Sequence, residues 1–377
     1  MYLPNPKAFA NSALNLYEGI SRKATPRSLP LNVDIILTKA CNLKCIFCVS
    51  YGSLKNVKQM DFDLYRSIAT TLFPKALNLF ICSGGEPFLY PRLREALTMA
   101  SSFKTRTTIT SNGMMITSNV ADWVVDDQSL NELCISFDGA RKETLEKIRV
   151  GANFDTIMRN LKYLSDRKMR KAVEFPRVWL RYVIMKSNLE EFPEIFRLCS
   201  DHGIYKVEVK FLNVTNEIDF LESVYNCSKL AGDVFREARL RAKQYGIDLV
   251  IPSLLPKGKG ALGCMYPWRF VQIDTDGSIR FCYYSWRQRL GFFEDGFLNI
   301  WRGHEYSRIR STMDSETPFY PYCKFCTENK GFAYESSHNQ KMHEECYVIP
   351  GLEKWQVPFK TRAEVNQSFS KRMETKI

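Results

Sequence analysis

The chain has 377 residues, of which 45% are hydrophobic, 25% charged and 13% aromatic, so a disordered chain is excluded and more than one average module is expected. Its formal net charge of +12 favours anionic partners without choosing among phosphate, nucleic acid and acidic lipid. No long uncharged apolar run and no secretory signal pattern occur, so a cytoplasmic protein without a spanning helix is expected. Its twelve cysteines then point to metal or cluster ligation rather than disulfides.

Residues 1–30 read as a short extension ending in a Pro-marked stretch. Strands are expected at 33–38, 76–82, 105–110, 133–137, 178–185 and 206–211, where β-branched and aliphatic residues cluster. Helices are expected between them at 61–73, with Asp61 as N-cap, and at 93–102, 120–125, 144–148, 154–164 and 192–202. Six strands alternating with helices imply an α/β fold, an incomplete parallel (β/α)6 barrel over residues 31–215. Chemistry in such barrels gathers at the C-terminal strand ends, where Cys41, the Gly84-Gly85 turn, Asn112 and Asp138 all fall. Residues 216–260 read as a mostly helical linker closed by a Pro/Gly cluster. Residues 261–350 read as a small α+β domain, with a hairpin turn at Asp274-Thr275-Asp276-Gly277, and 351–377 as a basic tail.

Cys41, Cys45 and Cys48 form a C-x3-C-x2-C run of soft thiolate ligands. A structural zinc site wants four ligands and no fourth lies nearby, whereas a four-iron cluster held by three thiolates leaves one iron open. This run resembles the signature loop of the radical S-adenosylmethionine (SAM) superfamily. The resemblance implies a [4Fe–4S] cluster on these three cysteines, with SAM chelating the open iron. It also implies that Phe47 packs near the adenine. Gly84-Gly85-Glu86-Pro87 resembles the family's turn after the second strand, which implies backbone contact with the methionine amino group of SAM. Ser136 and Asp138 resemble the strand-four positions near the ribose, and Asn112 the strand-three position facing the site. Asn112-Gly113 and Asp138-Gly139 are also turn formers in their own right. Arg181 on strand five is placed to meet a SAM carboxylate or to point outward.

Cys264, Gly277 and Cys282 in a C-x12-G-x4-C spacing, followed by Cys323 and Cys326, resemble the SPASM and twitch domains of the same superfamily. These four cysteines are then expected to hold a second, auxiliary [4Fe–4S] cluster. The shorter cysteine count is similar to the twitch form, and Cys346 is left over, either structural or a replacement ligand. A zinc site closed by the same four thiolates is the competing reading. Cys82, Cys134 and Cys199 are expected in the core, and Tyr283, Tyr284, Trp268 and Trp286 flank the auxiliary cysteines.

The resemblance implies reductive cleavage of SAM to a 5′-deoxyadenosyl radical, which abstracts a substrate hydrogen. A closed auxiliary cluster implies one-electron oxidation of the substrate radical, hence dehydrogenation of a small molecule such as a sugar, cyclitol or nucleoside. The cysteine framework is similar to that of 2-deoxy-scyllo-inosamine dehydrogenases. An electron donor such as flavodoxin or ferredoxin is implied, and the basic balance fits an anionic or phosphorylated substrate. The alternative is oxidation, cross-linking or epimerisation of a ribosomally made peptide. Only about thirty residues precede the first strand, which counts against a built-in peptide-recognition domain. A bare electron carrier and a nucleic-acid modifier are weaker readings, since the motif set is catalytic and no aromatic-interleaved basic motif occurs.

Overall fold

A computed structural model describes residues 5–48, 57–212, 221–252, 264–285, 288–315, 317–320 and 323. Cys326, Cys346, Trp286, the Pro/Gly cluster after residue 252 and the tail 351–377 lie outside the described residues. Among the described residues, no helix is long and apolar enough to cross a membrane.

Six strands appear where the aliphatic runs predict them: β1 (Asn32–Ile35), β2 (Asn78–Ile81), β3 (Arg106–Ser111), β4 (Glu132–Ser136), β5 (Arg177–Ile184) and β6 (Lys206–Phe211). Each pairs in parallel with the next, giving the expected incomplete (β/α)6 barrel. The crossovers carry α2 (Phe62–Leu72), α3 (Leu93–Ser102), α4 (Ser118–Asp127), α5 (Lys142–Ile148), α6 (Phe154–Lys171) and α7 (Ile195–Asp201). Asp61 caps α2, its side chain accepting from the Asp63 and Leu64 amides, and so satisfies two of the orphan donors of the first turn. The helix expected from residue 192 starts as a 3-10 turn, in which Pro193 supplies no amide donor, and becomes α7 only at Ile195.

Alternation along the strands separates two faces. Val33, Ile35, Leu79, Ile81, Ile109, Leu133, Leu180, Val207 and Val209 join one continuous apolar core under the helices. The opposite face is polar. It carries Asp34, Cys82, Thr110, Cys134, Arg181 and Glu208 on successive strands, aligned by the register Cys82 beside Thr110, Thr110 opposite Cys134 and Arg181 opposite Glu208. Burying polar groups costs free energy unless they find partners, so a polar inner face marks the side kept for chemistry.

Three features depart from the sequence expectation. Residues 6–20, read as an extension, form a capped helix, α1 (Pro6–Ile20). The stretch expected to be helical holds α8 (Ser228–Tyr245) and then a short strand, β7 (Asp248–Val250), which extends the sheet beyond β6. The expected hairpin is present as β8 (Phe270–Ile273) and β9 (Ile279–Arg280), but β8 also pairs in parallel with β1. The sheet therefore runs β7-β6-β5-β4-β3-β2-β1-β8-β9 without interruption. Helices α9 (Tyr266–Arg269), α10 (Phe297–Trp301) and α11 (His304–Thr312) pack beside the hairpin.

Candidate active site

The first cysteine loop is held by hydrogen bonds to neighbouring strand ends. Thr38 carbonyl accepts from Gly85 N (2.9 Å) and Ala40 carbonyl from Glu86 N (2.6 Å). A Cβ on Gly85 would sit 1.9 Å from the Ala40 oxygen, and Gly84 has φ +93° with Ile36 Cγ2 2.5 Å from its ideal Cβ. Glycine is required here because the turn packs directly on the backbone of the cysteine loop. On the far side, Lys44 N donates to Val150 O and Ile46 N to Ile148 O. The thiols of Cys41, Cys45 and Cys48 are half-buried and act electrostatically on one another. Burial pushes the Cys45 thiol up to about 11, opposed by the Arg149 guanidinium.

Glu86 is a brace. It is 2% exposed, and its carboxylate accepts from Ser111 Oγ (2.9 Å), Asn112 N (2.8 Å) and Phe88 N (3.3 Å). Burial pushes its carboxyl up to about 7 against those three donors. Pro87 is buried at the start of the following 3-10 turn. Asn112 joins the brace to the cysteine loop: its Nδ2 donates to Asn42 Oδ1 (2.8 Å), while its Oδ1 accepts from Met114 N as a turn former does.

Asp138 is fully buried and engaged by the frame. Its Oδ1 accepts from Val183 N (2.7 Å), its carbonyl from Asn188 Nδ2 (3.0 Å), and its Oδ2 lies 2.6 Å from Arg149 Nη2. Arg149, which the sequence reading did not single out, is a buried cation beside this loop. Its Nη1 lies 3.7 Å from Cys45 Sγ, its guanidinium carbon 5.8 Å from the Phe47 ring, and its Nε is buried with no partner among the described residues. Phe47 itself packs with Ile46, Ile148, Val183, Met185 and Leu212 in a small apolar cluster apart from the main core. Soft donors on one loop, a glycine turn pressed against that loop and an orphaned guanidinium N–H beside it fit a cluster with an anionic ligand.

Below this rim lies the polar inner face. Ser136 is half-buried on β4, and Arg181 faces it on β5 in register. Arg181 donates from Nε (3.1 Å) and Nη2 (3.0 Å) to Glu208, which also lies 3.4 Å from Lys210 Nζ. Two cations thus share one carboxylate. Asp34 is fully buried, with Oδ2 accepting from Gln272 Nε2 (2.7 Å) and Ser83 Oγ (2.8 Å). Burial pushes its carboxyl up to about 6, against those donors and the Arg181 charge. Tyr283 packs 4.5 Å from the Phe270 ring and is coupled electrostatically to Asp34 and Cys82. Cys199 is a core residue as expected, whereas Cys134, fully buried, and Cys82, half-buried, both lie on the inner face.

The second cysteine set comes from distant segments. Cys264, Cys282 and Cys323 border the same main apolar core as Trp268, Phe281, Trp301 and Tyr306. In that part of the core Arg310, 1% exposed, donates to the carbonyls of Pro267 (2.9 Å), Trp301 (2.7 Å) and Ala24 (3.1 Å) and stacks on Trp301 and Tyr306. Trp268 is fully buried, as core packing predicts.

Residues 35–199 match the family described as the Radical SAM superfamily, and residues 264–327 match an iron-sulfur cluster-binding domain, SPASM. The chain is 24% identical over 334 residues to the AdoMet-dependent heme synthase of Oleidesulfovibrio alaskensis, covering 80% of this chain and 83% of that one. It is 22% identical over 313 residues to the antilisterial bacteriocin subtilosin biosynthesis protein of Bacillus subtilis, covering 79% of this chain and 67% of that one. Among solved structures it is similar to Streptococcus suis SuiB bound to S-adenosylmethionine, with TM-score 0.64 and 17% identity over 90% of this chain and 81% of that one. A [4Fe–4S] cluster and SAM are the cofactors of the first family, and auxiliary iron–sulfur clusters those of the second. The chain carries a radical SAM domain over residues 35–199 and, after it, a SPASM iron–sulfur domain over residues 264–327.

Proposed function

We propose that this enzyme oxidises a small polar molecule bearing an anionic group, held on the inner face of the barrel. The observation that carries this reading is the arrangement of Arg181, Glu208 and Lys210, two cations on one carboxylate, beside a buried Asp34 and a tyrosine that directly follows Cys282. Cys41, Cys45 and Cys48 would hold the first cluster, and Cys264, Cys282, Cys323 and Cys326 the second. When bound, these groups and SAM supply a 5′-deoxyadenosyl radical for hydrogen abstraction and an acceptor for one electron. The chain's own residues do the rest. Arg181 and Lys210 take the anionic group, and Arg149 holds the cysteine loop and offers its free N–H at the rim. Oxidation of an alcohol carbon also releases the hydroxyl proton. Ser83, half-buried and donating to Asp34, connects the inner face to a carboxylate whose raised affinity suits proton uptake near neutral pH.

The peptide reading is the second one. It is supported by relatives named as a subtilosin biosynthesis protein and a mycofactocin maturase, and by a fold neighbour solved with its precursor peptide. The heme synthases, matched over most of both chains, favour a small molecule.

The test begins with iron, sulfide and zinc assayed together on anaerobically reconstituted protein. About eight irons per chain support two four-iron clusters, whereas about four irons with one zinc would remove the electron acceptor. The loaded enzyme, reductant and deuterated carboxylate-bearing molecules would then be assayed for deuterium in 5′-deoxyadenosine. Label transfer from a small molecule, weakened in Arg181→Leu, is expected. Transfer only from peptides would overturn the reading.

A further inference from the structure

The short segment that follows α5 lies antiparallel against the cysteine loop. Lys44 N donates to the Val150 carbonyl at 2.8 Å and Ile46 N to the Ile148 carbonyl at 3.0 Å. That register puts Arg149 opposite Cys45, in the non-hydrogen-bonded place of the pairing, where side chains come closest. Gly151 keeps the two segments near each other, with φ +93° and its ideal Cβ 3.3 Å from the Asn42 carbonyl oxygen. Arg149 is also fixed from its own side. Its amide donates to Leu145 O at 2.8 Å, its carbonyl accepts from Ala152 N at 2.8 Å, and its Nη2 pairs with Asp138 Oδ2 at 2.6 Å. Asp138 is held in turn by the Val183 amide.

Burying a cation is costly and is tolerated where opposite charge meets it. Asp138 supplies one negative charge. Nη1, the other terminal nitrogen, stands 3.7 Å from Cys45 Sγ, and the guanidinium charge acts on Cys41 and Cys48 as well. Across the loop, the buried Glu86 acts on Cys41 with the opposite sign.

We propose that Arg149 tunes the reduction potential of the cluster on Cys41, Cys45 and Cys48, donating to the Cys45 sulfur and favouring the reduced form, while Asp138 positions it and offsets part of its charge. This rests on those three cysteines holding the first cluster. Two terms act in the same direction. Reduction adds a negative charge beside a buried cation, and an N–H donated to a ligating sulfur strengthens as that sulfur grows more negative. Arginine suits the place better than lysine, because its planar fork reaches Asp138 with Nη2 and Cys45 with Nη1 at once.

The test is the midpoint potential of the loop cluster, read by electron paramagnetic resonance in mediated reductive titrations of anaerobically reconstituted full-length protein without SAM. The signal that changes when SAM is then added belongs to the loop, and an auxiliary signal, which SAM leaves unchanged, is the internal reference. In Arg149→Met the loop midpoint should fall by at least about tenfold in the reduction equilibrium, ~59 mV for one electron, with the auxiliary midpoint unmoved. Arg149→Lys should recover only part of that shift. Asp138→Asn should move the midpoint upward, since the amide oxygen still accepts from Val183 N but no longer offsets the guanidinium. This variant carries the test if Arg149→Met loads no cluster. Lower iron in the variants with the loop midpoint unmoved would show a structural role alone and overturn the proposal, as would a fall in Asp138→Asn. A parent without any SAM-responsive signal would instead overturn the assignment of Cys41, Cys45 and Cys48 on which the proposal stands.

Discussion

The two cysteine sets differ in how the fold delivers them. The first lies within eight residues on one loop, and its supports come from the adjoining strand ends: Gly85 against Ala40, Glu86 against Asn112, Arg149 against Asp138 and Cys45. The described members of the second are spread over 60 residues and border a core that Trp268, Trp301, Tyr306 and Arg310 help to pack. A local site tolerates global loosening and fails when its own frame is touched. A gathered site is only as stable as the core that gathers it.

The largest effect should come from the loop itself. Alanine at Cys41, Cys45 or Cys48 is expected to lower 5′-deoxyadenosine formation more than ~100-fold, beyond the range typical of outer partners, while auxiliary iron stays. Retained SAM cleavage would break the assignment. Arg310→Met comes next. It leaves three carbonyls, two of them buried, without their donor, at ~1–3 kcal/mol for each buried one before relaxation, so a loss of about 3 kcal/mol in urea unfolding is expected. Auxiliary iron should fall first, and equal loss of both clusters would erase the contrast. Gly85→Ala should cost about 2 kcal/mol, since its Cβ must displace the Ala40 backbone. Here the loop's iron should fall and the auxiliary iron should not.

The smallest effect concerns pH. Asp34 keeps its proton in the folded state up to about pH 6, whereas in the unfolded chain it loses it near 4. The native state therefore binds more protons in that window, and stability falls as pH rises from about 4 to about 6, then levels. Asp34→Asn should flatten this slope by about 1–2 kcal/mol, the amide fitting its three donors less well than a carboxylate. Urea midpoints of apoprotein at pH 4, 5, 6 and 7 check it.

Much of the barrel was legible because its strands are unmixed aliphatic runs ended by turn residues. The cysteine loop was legible because three thiols in eight residues have few other uses. Other features were hidden for physical reasons. Asp34 is one acid inside a run of aliphatic residues, and only its partners Ser83 and Gln272, 49 and 238 residues away, make it tenable. Arg149 ends a short helix and reads as a surface cation until Asp138 and Cys45 are seen around it. Helix α1 was missed because its buried residues are asparagines and a glutamate, the reverse of the pattern that signals a packed helix. The close approach of Gly85 to Ala40 and of Gly84 to Ile36 was likewise hidden, because it depends on how the turn lies against a segment more than forty residues earlier.

The pairing of β8 with β1 sets a schedule for synthesis. β1 is made early, yet its second neighbour lies 238 positions later, at Asp34 and Gln272. At about 5–20 residues per second, that edge waits on the order of ten to fifty seconds on the ribosome with its amides and carbonyls unpaired. Asp34 waits with it, charged and hydrated, until Gln272 arrives. The edge strand of the nascent barrel therefore carries a charge that discourages strangers, and that charge is enclosed by its full set of donors only once Gln272 has been made.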